Sequence, residues 1–327
     1  MPSPSLTVAI TDWTFPDLAV ETRLLESHGI AVAGRQCKTE AELIALVANA
    51  DAVVTQFARI NSAVIGAMAK ARCIVRYGIG VDNVDLEAAR ARNIPVCNIP
   101  DYCIDEVADQ TLAFMLACTR QVVANALHLR AGHWGLPVPL AAMNSLRHCT
   151  VGIVGFGRIG RAVVQRLIGF GCAVRVFDPA VPSEAIAASG AESVTLEQLL
   201  AVSDLVSPHC PSTPQTRRMF NAAAFGRMKP GAILVNVGRG DLVDSAALLE
   251  ALNRGQLGGA ALDVFDPEPI PVDHPIRRLP NVLLSAHIAS ASPTAVQRLR
   301  ESVAATAARG ALGQPLLNVV NGVSSRS

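Results

Sequence analysis

Long apolar runs are missing from this chain. Its hydrophobic stretches are short and broken by Gly, Asp or Arg, so no transmembrane span is expected. Charge is scarce as well. Only 17% of residues are charged, and 28 Lys and Arg against 27 Asp and Glu leave a formal net charge of +1. No basic run supplies the clustered positive face that a nucleic-acid partner requires, so none is expected. None of the eight cysteines forms a C-x-x-C pair, and most, such as Cys73, Cys118 and Cys172, lie in apolar context. There the thiol packs as a small hydrophobe. A disulfide framework is not expected at this size, and the expected compartment is a reducing cytoplasm. Met1-Pro2-Ser3-Pro4-Ser5 has neither a positive n-region nor an apolar h-region, so no secretory signal is expected. There is no repeat of solenoid length and no low-complexity tract. No metal site is expected.

What is present is ample core material. Half of the 327 residues are hydrophobic, which suits two domains with buried parallel strands. β-rich runs alternate with helical patterns, which argues an α/β protein. The first series is Leu6–Ile10, Ile30–Ala33, Ala52–Thr55, Cys73–Arg76 and Val96–Asn98. Helical segments lie between, for example Glu40–Ala48 with Leu43, Leu46 and Val47 on one face. A second series comprises Thr150–Val154, Ala173–Phe177, Leu205–Ser207, Ile233–Val237, Ala260–Val264 and Val282–Ser285. Two series suggest two doubly wound domains. Asp105 to about Arg130 reads as one long joining helix, and Gly132–Pro139 as a loop. Pro293–Arg309 is helical, but pattern alone leaves open which domain it closes.

The segment Thr150-Val151-Gly152-Ile153-Val154-Gly155-Phe156-Gly157-Arg158-Ile159-Gly160 runs an apolar strand directly into G-x-G-x-x-G, and a helical pattern follows. Gly155 allows the tight turn, Gly157 lets the backbone approach a pyrophosphate, and Gly160 lets helix and strand pack closely. The phosphates would face unpaired N–H groups at a helix N-terminus, where the macrodipole favours anions. A lone match is weak, but here strand and helix flank it and Asp178 ends the next strand. An acid at that spacing accepts hydrogen bonds from the adenosine ribose and repels a 2′-phosphate. NAD is therefore expected over NADP.

In open parallel sheets ligands bind beyond the carboxyl ends of strands. Asp178, His209, Arg239, Asp263 and His287 all fall there. Each alone is as well read as a satisfied loop residue; their shared placement favours a site. A nicotinamide enzyme moves a hydride, and the hydroxyl proton needs a separate acceptor, for which His is suited. A carboxylate beside it would hold one tautomer, and Glu268, in Asp266-Pro267-Glu268-Pro269, is a candidate. Read alone, Glu268 is a solvated loop acid. Arg239, between Gly238 and Gly240, suits a substrate carboxylate because its guanidinium binds bidentately.

These motifs resemble the D-isomer-specific 2-hydroxyacid dehydrogenases. The resemblance rests on the glycine turn, on Val235-Asn236-Val237-Gly238-Arg239-Gly240-Asp241-Leu242-Val243-Asp244, on Gly259-Ala260-Ala261-Leu262-Asp263-Val264-Phe265-Asp266-Pro267-Glu268-Pro269, and on Ser285-Ala286-His287-Ile288-Ala289. It implies a catalytic set of Arg239, Glu268 and His287. It implies cofactor contacts at Gly155, Gly157, Arg158, Ile159, Gly160, Asp178, His209, Cys210, Pro211, Thr216, Val237, Asp263, His287 and Ala289. It implies that substrate is gripped by Arg239 and by Arg76, Tyr77, Gly78, Ile79 and Gly80. Arg76 and Tyr77 are equally well read as a strand-end pair covering the core edge. The implied fold is a Rossmann NAD-binding domain, residues 101–291, inserted into a discontinuous flavodoxin-like substrate domain, residues 1–100 plus 292–327, with the ligands in the cleft between and a homodimer built through the cofactor domain.

Arg76 through Asp85 and Asn98-Ile99-Pro100-Asp101-Tyr102 look most like phosphoglycerate dehydrogenases and C-terminal-binding-protein corepressors. No added regulatory domain is expected. Ala286 replaces a usual Pro, and Ser207-Pro208-His209 replaces a more apolar strand end, which bears on substrate identity; Tyr77, Tyr102 and Trp134 are candidates for setting it. The expected activity is hydride transfer between NAD and a small D-2-hydroxy acid or 2-ketoacid. The alternatives are an NAD(H)-responsive regulatory binding protein and a phosphoglycerate dehydrogenase without a regulatory domain.

Overall fold

The computed structural model describes residues 6–324. Its strands pair in parallel in two sheets. The first contains β1 (Thr7–Ile10), β2 (Ala31–Gly34), β3 (Ala52–Thr55), β4 (Ile74–Arg76) and β5 (Val96–Cys97), in the order β2-β1-β3-β4-β5. This is the flavodoxin-like order. The second contains β6 (Thr150–Val154), β7 (Ala173–Phe177), β8 (Glu192–Ser193), β9 (Leu205–Pro208), β10 (Ala232–Asn236), β11 (Leu257–Leu262) and β12 (Val282–Leu284). Its order, β12-β11-β10-β9-β6-β7-β8, reverses direction at β6 and β9, the switch point of a Rossmann sheet. The expected class, α/β with doubly wound sheets, is the one adopted.

The chain divides into two compact units. One runs to Tyr102 and resumes at Ser292; the other is Cys103–Ala291. In the first, β3 reads Ala-Val-Val-Thr and is buried at every position, as a central parallel strand must be. The helix Glu40–Val47 begins with Thr39, whose hydroxyl accepts from the Glu42 N–H while Glu42 reaches back to the Thr39 N–H. That reciprocal cap satisfies donors the helix itself leaves open. Leu43 and Val47 then face a core with Val53, Ile74 and Val96. Burying side chains of this kind contributes roughly 1.5–3 kcal/mol each. The helix Pro293–Ala311 is capped by Ser292 and carries Pro at its start. It packs on the first unit, against the helix Ala19–Glu26 and against β3 and β4.

The second unit departs from the sequence reading in three places. The long helix is two helices, Ile104–Thr119 and Val122–Arg130, bent by 60°. Gln121 adopts a left-handed φ of 52° and its side-chain amide donates to the Cys118 carbonyl. Thr119 meanwhile donates back to the Met115 carbonyl. These local bonds end the first helix before the second begins. β11 starts at Leu257, ahead of the expected Ala260, and runs through Gly258 and Gly259, where neighbouring backbone leaves no room for a Cβ. β8 is a two-residue edge strand with both residues exposed, too short to carry a hydrophobic pattern. Among the described residues no single helix is long and apolar enough to cross a membrane. All eight cysteines are free thiols.

Candidate active site

The glycine turn joins β6 to the helix Arg158–Phe170. Gly155 has φ of 100°, and a Cβ there would lie 2.7 Å from the Cys210 nitrogen. Only Gly fits both demands. A Cβ on Gly160 would collide with the Gly155 carbonyl oxygen, whereas one on Gly157 would meet open space. The turn is thus closed on its protein side at Gly155 and Gly160 and open at Gly157, which caps the helix. Arg158, Ile159 and Gly160 supply the first helical N–H groups. This cradle fits an anion.

Asp178 follows β7, and its carboxylate does more than the spacing suggested. Oδ2 accepts the Phe156 N–H at 2.7 Å and Oδ1 accepts the Ala180 N–H at 2.8 Å. It therefore fixes the glycine turn as well as facing the cleft of about 510 Å³ that Asp178 lines with Phe177, Thr195 and Glu197. That cleft has two carboxylates among its lining residues and no Lys or Arg.

His209 follows β9. Its backbone N–H donates to the Val154 carbonyl at 2.7 Å, placing it against the glycine turn. The Ser207 hydroxyl donates to the Val235 carbonyl at 3.0 Å, so toward the ring nitrogen Nε2, 3.0 Å away, it acts as acceptor. The proton is thereby assigned to Nε2. Desolvation pushes the imidazole pKa down to about 4. Burial raises the neighbouring Cys210 thiol to about 11, so it is inert as a nucleophile near neutral pH. The Pro211 carbonyl accepts from Thr216 Oγ1 at 2.7 Å, folding this loop on itself.

Arg239 follows β10. Asn236 holds the turn before it, accepting the Gly238 N–H at 3.0 Å and donating to the Arg239 carbonyl at 2.8 Å. Arg239 Nη1 donates to the Gly238 carbonyl at 2.8 Å. Val237 is buried.

Asp263 follows β11 and is completely buried. Oδ1 accepts the Ile288 N–H at 2.9 Å and the Ser285 hydroxyl, and Oδ2 accepts the Ala289 N–H at 2.8 Å. Its carbonyl accepts the His287 N–H at 2.7 Å. Asp263 therefore builds the turn that presents His287, whose φ is 53°, a conformation few non-Gly residues adopt. His287 Nδ1 lies 2.9 Å from Glu268 Oε2. The pair is about one-third exposed, with side-chain exposures of 30% and 36%, so it is open to a small ligand. Glu268, which alone read as a solvated loop acid, is thus joined to the imidazole.

In the first unit, Arg76 ends β4 and Tyr77 continues from it. The Tyr77 side chain is buried and its hydroxyl donates to Glu21 Oε1 at 3.1 Å. Burial and that carboxylate push the phenol pKa up. Tyr77 thus covers the core, while Arg76 lies over the Phe57 ring at 5.9 Å. Gly78 has φ of 140°, and a Cβ there would collide with the Arg76 guanidinium. The Gly78 carbonyl accepts from Ile99 N at 2.9 Å and the Ile79 carbonyl from Asn98 Nδ2 at 2.6 Å. Because each peptide is planar and trans, the N–H groups of Ile79 and Gly80 point the opposite way.

Asn98, Asn236 and Ser285 carry no role legible in the sequence, and Asp263 reads there only as a contact to the cofactor. A polar residue two before a functional one, as Ser285 is to His287, is the sole local signal. Their partners lie up to 26 residues away, with no pairing visible in the sequence.

Residues 112–289 match the family model described as D-isomer specific 2-hydroxyacid dehydrogenase, NAD binding domain. The chain is 39% identical to a glyoxylate reductase of Korarchaeum cryptofilum over 283 residues, covering 85% of each. It is 37% identical to the D-3-phosphoglycerate dehydrogenase of Mycobacterium bovis over 281 residues, 86% of this chain and 53% of that one. The chain thus spans about half the length of the phosphoglycerate dehydrogenase it matches. A solved D-lactate dehydrogenase from Aquifex aeolicus, complexed with NAD and lactic acid, superposes with a TM-score of 0.85 at 26% identity, over 97% of this chain and 100% of that one.

Proposed function

Because this chain belongs to the D-isomer-specific 2-hydroxyacid dehydrogenase family, we propose that it is an NAD-dependent oxidoreductase acting on a small D-2-hydroxy acid or 2-ketoacid. The observation that carries the reading is the 2.9 Å contact between His287 Nδ1 and Glu268 Oε2, on a turn that Asp263 holds.

Bound NAD supplies the hydride acceptor, and its reduced form the hydride donor. The cradle at Gly157 and the helix start Arg158–Gly160 fit its pyrophosphate, and the carboxylates of the cleft beside Asp178 fit an unphosphorylated adenosine ribose. In oxidation His287 Nε2 takes the hydroxyl proton as the C–H hydride departs and the carbonyl forms; in reduction it returns the proton. Glu268 keeps the other proton on Nδ1 and stabilises the imidazolium. Arg239 pairs with the substrate carboxylate, and Asn236 fixes its backbone. The reading of an NAD(H)-responsive binding protein is not favoured, since the similar proteins are named reductases and dehydrogenases.

A homodimer and a cytoplasmic location complete the proposal. The helix Val122–Arg130 buries none of its residues, and near it Trp134 is 94% and Leu140 72% exposed. An apolar face of this kind is what a second copy would cover. Light scattering during gel filtration tests it, a monomer being the contrary result.

The chemistry is tested by His287→Ala. Loss of the proton carrier lowers kcat by roughly 10²–10⁴-fold, while NADH binding stays near that of the unaltered chain. A variant that loses cofactor binding with kcat preserved contradicts the proton-transfer role.

A further inference from the structure

We propose that Asp241 is a positioning residue that couples the loop at the end of β9 to Arg239. The inference rests on the dehydrogenase reading above and adds to it a residue with no assigned role.

The segment Arg239–Asp244 is held from two sides. On one side Asn236 Nδ2 donates to the Arg239 carbonyl at 2.8 Å. On the other, everything runs through Asp241 and its neighbours. The Asp241 carbonyl accepts the Arg218 N–H at 2.7 Å, and the Leu242 carbonyl accepts the Phe220 N–H at 3.0 Å. The Asp241 carboxylate reaches further along the same loop: Oδ2 accepts the Ser212 hydroxyl at 2.7 Å and Arg217 Nε at 3.2 Å. Ser212 follows Pro211, and the residues just before, His209 and Cys210, lie against Gly155. One continuous set of contacts thus leads from the glycine turn through Ser212 and Asp241 to Arg239.

The two contacts on Oδ2 differ in weight. Arg217 is 66% exposed, and an exposed ion pair contributes little. The Ser212 hydroxyl makes a short bond to an ionised acceptor, the stronger kind. Meanwhile Asp241 Oδ1 is buried with no hydrogen-bond partner among the described residues. An orphaned carboxylate oxygen is costly, so nothing in the side chain's own preference puts it there. Position is imposed by the segment on both sides: a Cβ on Gly240 would collide with the Phe265 backbone, leaving the turn little freedom to move. The carboxylate at this point ties two loops.

The coupling predicts a particular kinetic pattern. Asp241→Ala frees both loops, so the ketoacid KM and the NADH Kd rise together. Breaking a charge-assisted bond raises the ketoacid KM about tenfold, while kcat at saturation stays within about threefold because His287 and Glu268 are untouched. Ser212→Ala removes the same bond from the other end and gives the same pattern. The double variant is then no worse than Asp241→Ala, since one bond cannot be lost twice.

The experiment is steady-state kinetics with glyoxylate or hydroxypyruvate, and NADH titration by fluorescence, on the unaltered chain, the two single variants and the double. A rise in NADH Kd with the ketoacid KM unchanged overturns the coupling to Arg239. So does no change in either quantity, a fall in kcat alone, or full additivity in the double variant. If Asp241→Ala does not fold, Ser212→Ala, which removes one hydroxyl from a loop, carries the test by itself. If the unaltered chain binds NADH but turns over no ketoacid, the dehydrogenase reading fails. Oxamate binding by calorimetry, in the presence of NADH, then decides whether the two variants weaken a carboxylate site, and unchanged oxamate affinity overturns the proposal.

Discussion

Replacing Asp178 with Asn removes a charge while keeping an oxygen for the Phe156 N–H, which Asp178 Oδ2 holds at 2.7 Å. The glycine turn therefore keeps its bond, while the amide gives up the Ala180 N–H that Oδ1 accepts at 2.8 Å; both cofactors meet that loss alike, so the ratio between them reports the charge. A 2′-phosphate on the adenosine ribose would bring up to two negative charges to within about 5 Å of the carboxylate. At an effective dielectric of about 20 to 80, each charge pair at that distance is worth roughly 1–3 kcal/mol. Asp178 is only half-buried, and salt screens it further, so a total of about 2 kcal/mol is the sounder figure. That corresponds to a preference of roughly 30-fold for NADH over NADPH in kcat/KM. The cleft offers no compensating cation, because Glu197 is the other charged residue lining it. Initial rates with the two cofactors, measured at one ketoacid concentration and low salt, give the ratio directly. Asp178→Asn should reduce the preference toward unity, mainly by improving NADPH. An unchanged ratio would refute the assignment of Asp178 to the ribose and leave it only its bond to the turn.

Three further outcomes follow from the same geometry. Glu268→Gln removes the charge facing His287 Nδ1 at 2.9 Å; a bond to a charged group contributes about 1.5–3 kcal/mol, so kcat should fall roughly 10- to 100-fold with NADH binding intact, and an unaffected kcat would contradict the pairing. His209 has a folded-state pKa of about 4 against an ordinary 6.5; between these values the unfolded chain binds the extra proton, so stability is complete above about pH 6.5 and declines as pH falls toward 4. The urea midpoint of the unaltered chain should drop across that window more steeply than that of His209→Asn, and equal slopes would show that the histidine is solvated. In the first unit Arg300 Nη2 meets Glu21 Oε2 at 2.7 Å and Nε meets Oε1 at 2.9 Å, with Glu21 1% and Arg300 7% exposed. Arg300→Met should cost about 3–5 kcal/mol by stranding a buried carboxylate, and adding Glu21→Leu should recover at least half; a double variant less stable than the single, by chemical denaturation, would contradict this.

The residues differ in how much of this was legible beforehand. The glycine turn and Asp178 could be read because their requirement is local: a strand, a turn that admits no side chain at Gly155, and an acid at the next strand's end. His287 and Arg239 were legible as polar residues at strand ends, a position rule that needs no knowledge of partners. Asp263 was legible only as a residue near a strand end. Its carboxylate is spent on the N–H groups of Ile288 and Ala289, and a bond between residues 25 positions apart leaves no trace in periodicity. The pairing of Tyr77 with Glu21, 56 residues earlier, was invisible for the same reason, and it settles that the tyrosine side chain faces the core. The long helix misled because its apolar pattern continues through Gln121, whereas the break depends on one left-handed residue and a side-chain bond. Local chemistry was readable; bonds that join distant turns were not, and Asp241 is another of them.

In the proposed reaction the His287–Glu268 pair performs proton transfer coupled to hydride transfer from NADH. The most direct measurement follows NADH absorbance with the purified chain against glyoxylate, hydroxypyruvate, pyruvate and phosphohydroxypyruvate. At least one should be reduced, with kcat lowered roughly 10²–10⁴-fold in His287→Ala. Saturable NADH binding with no oxidation by any of the four, or equal turnover in His287→Ala, would contradict it.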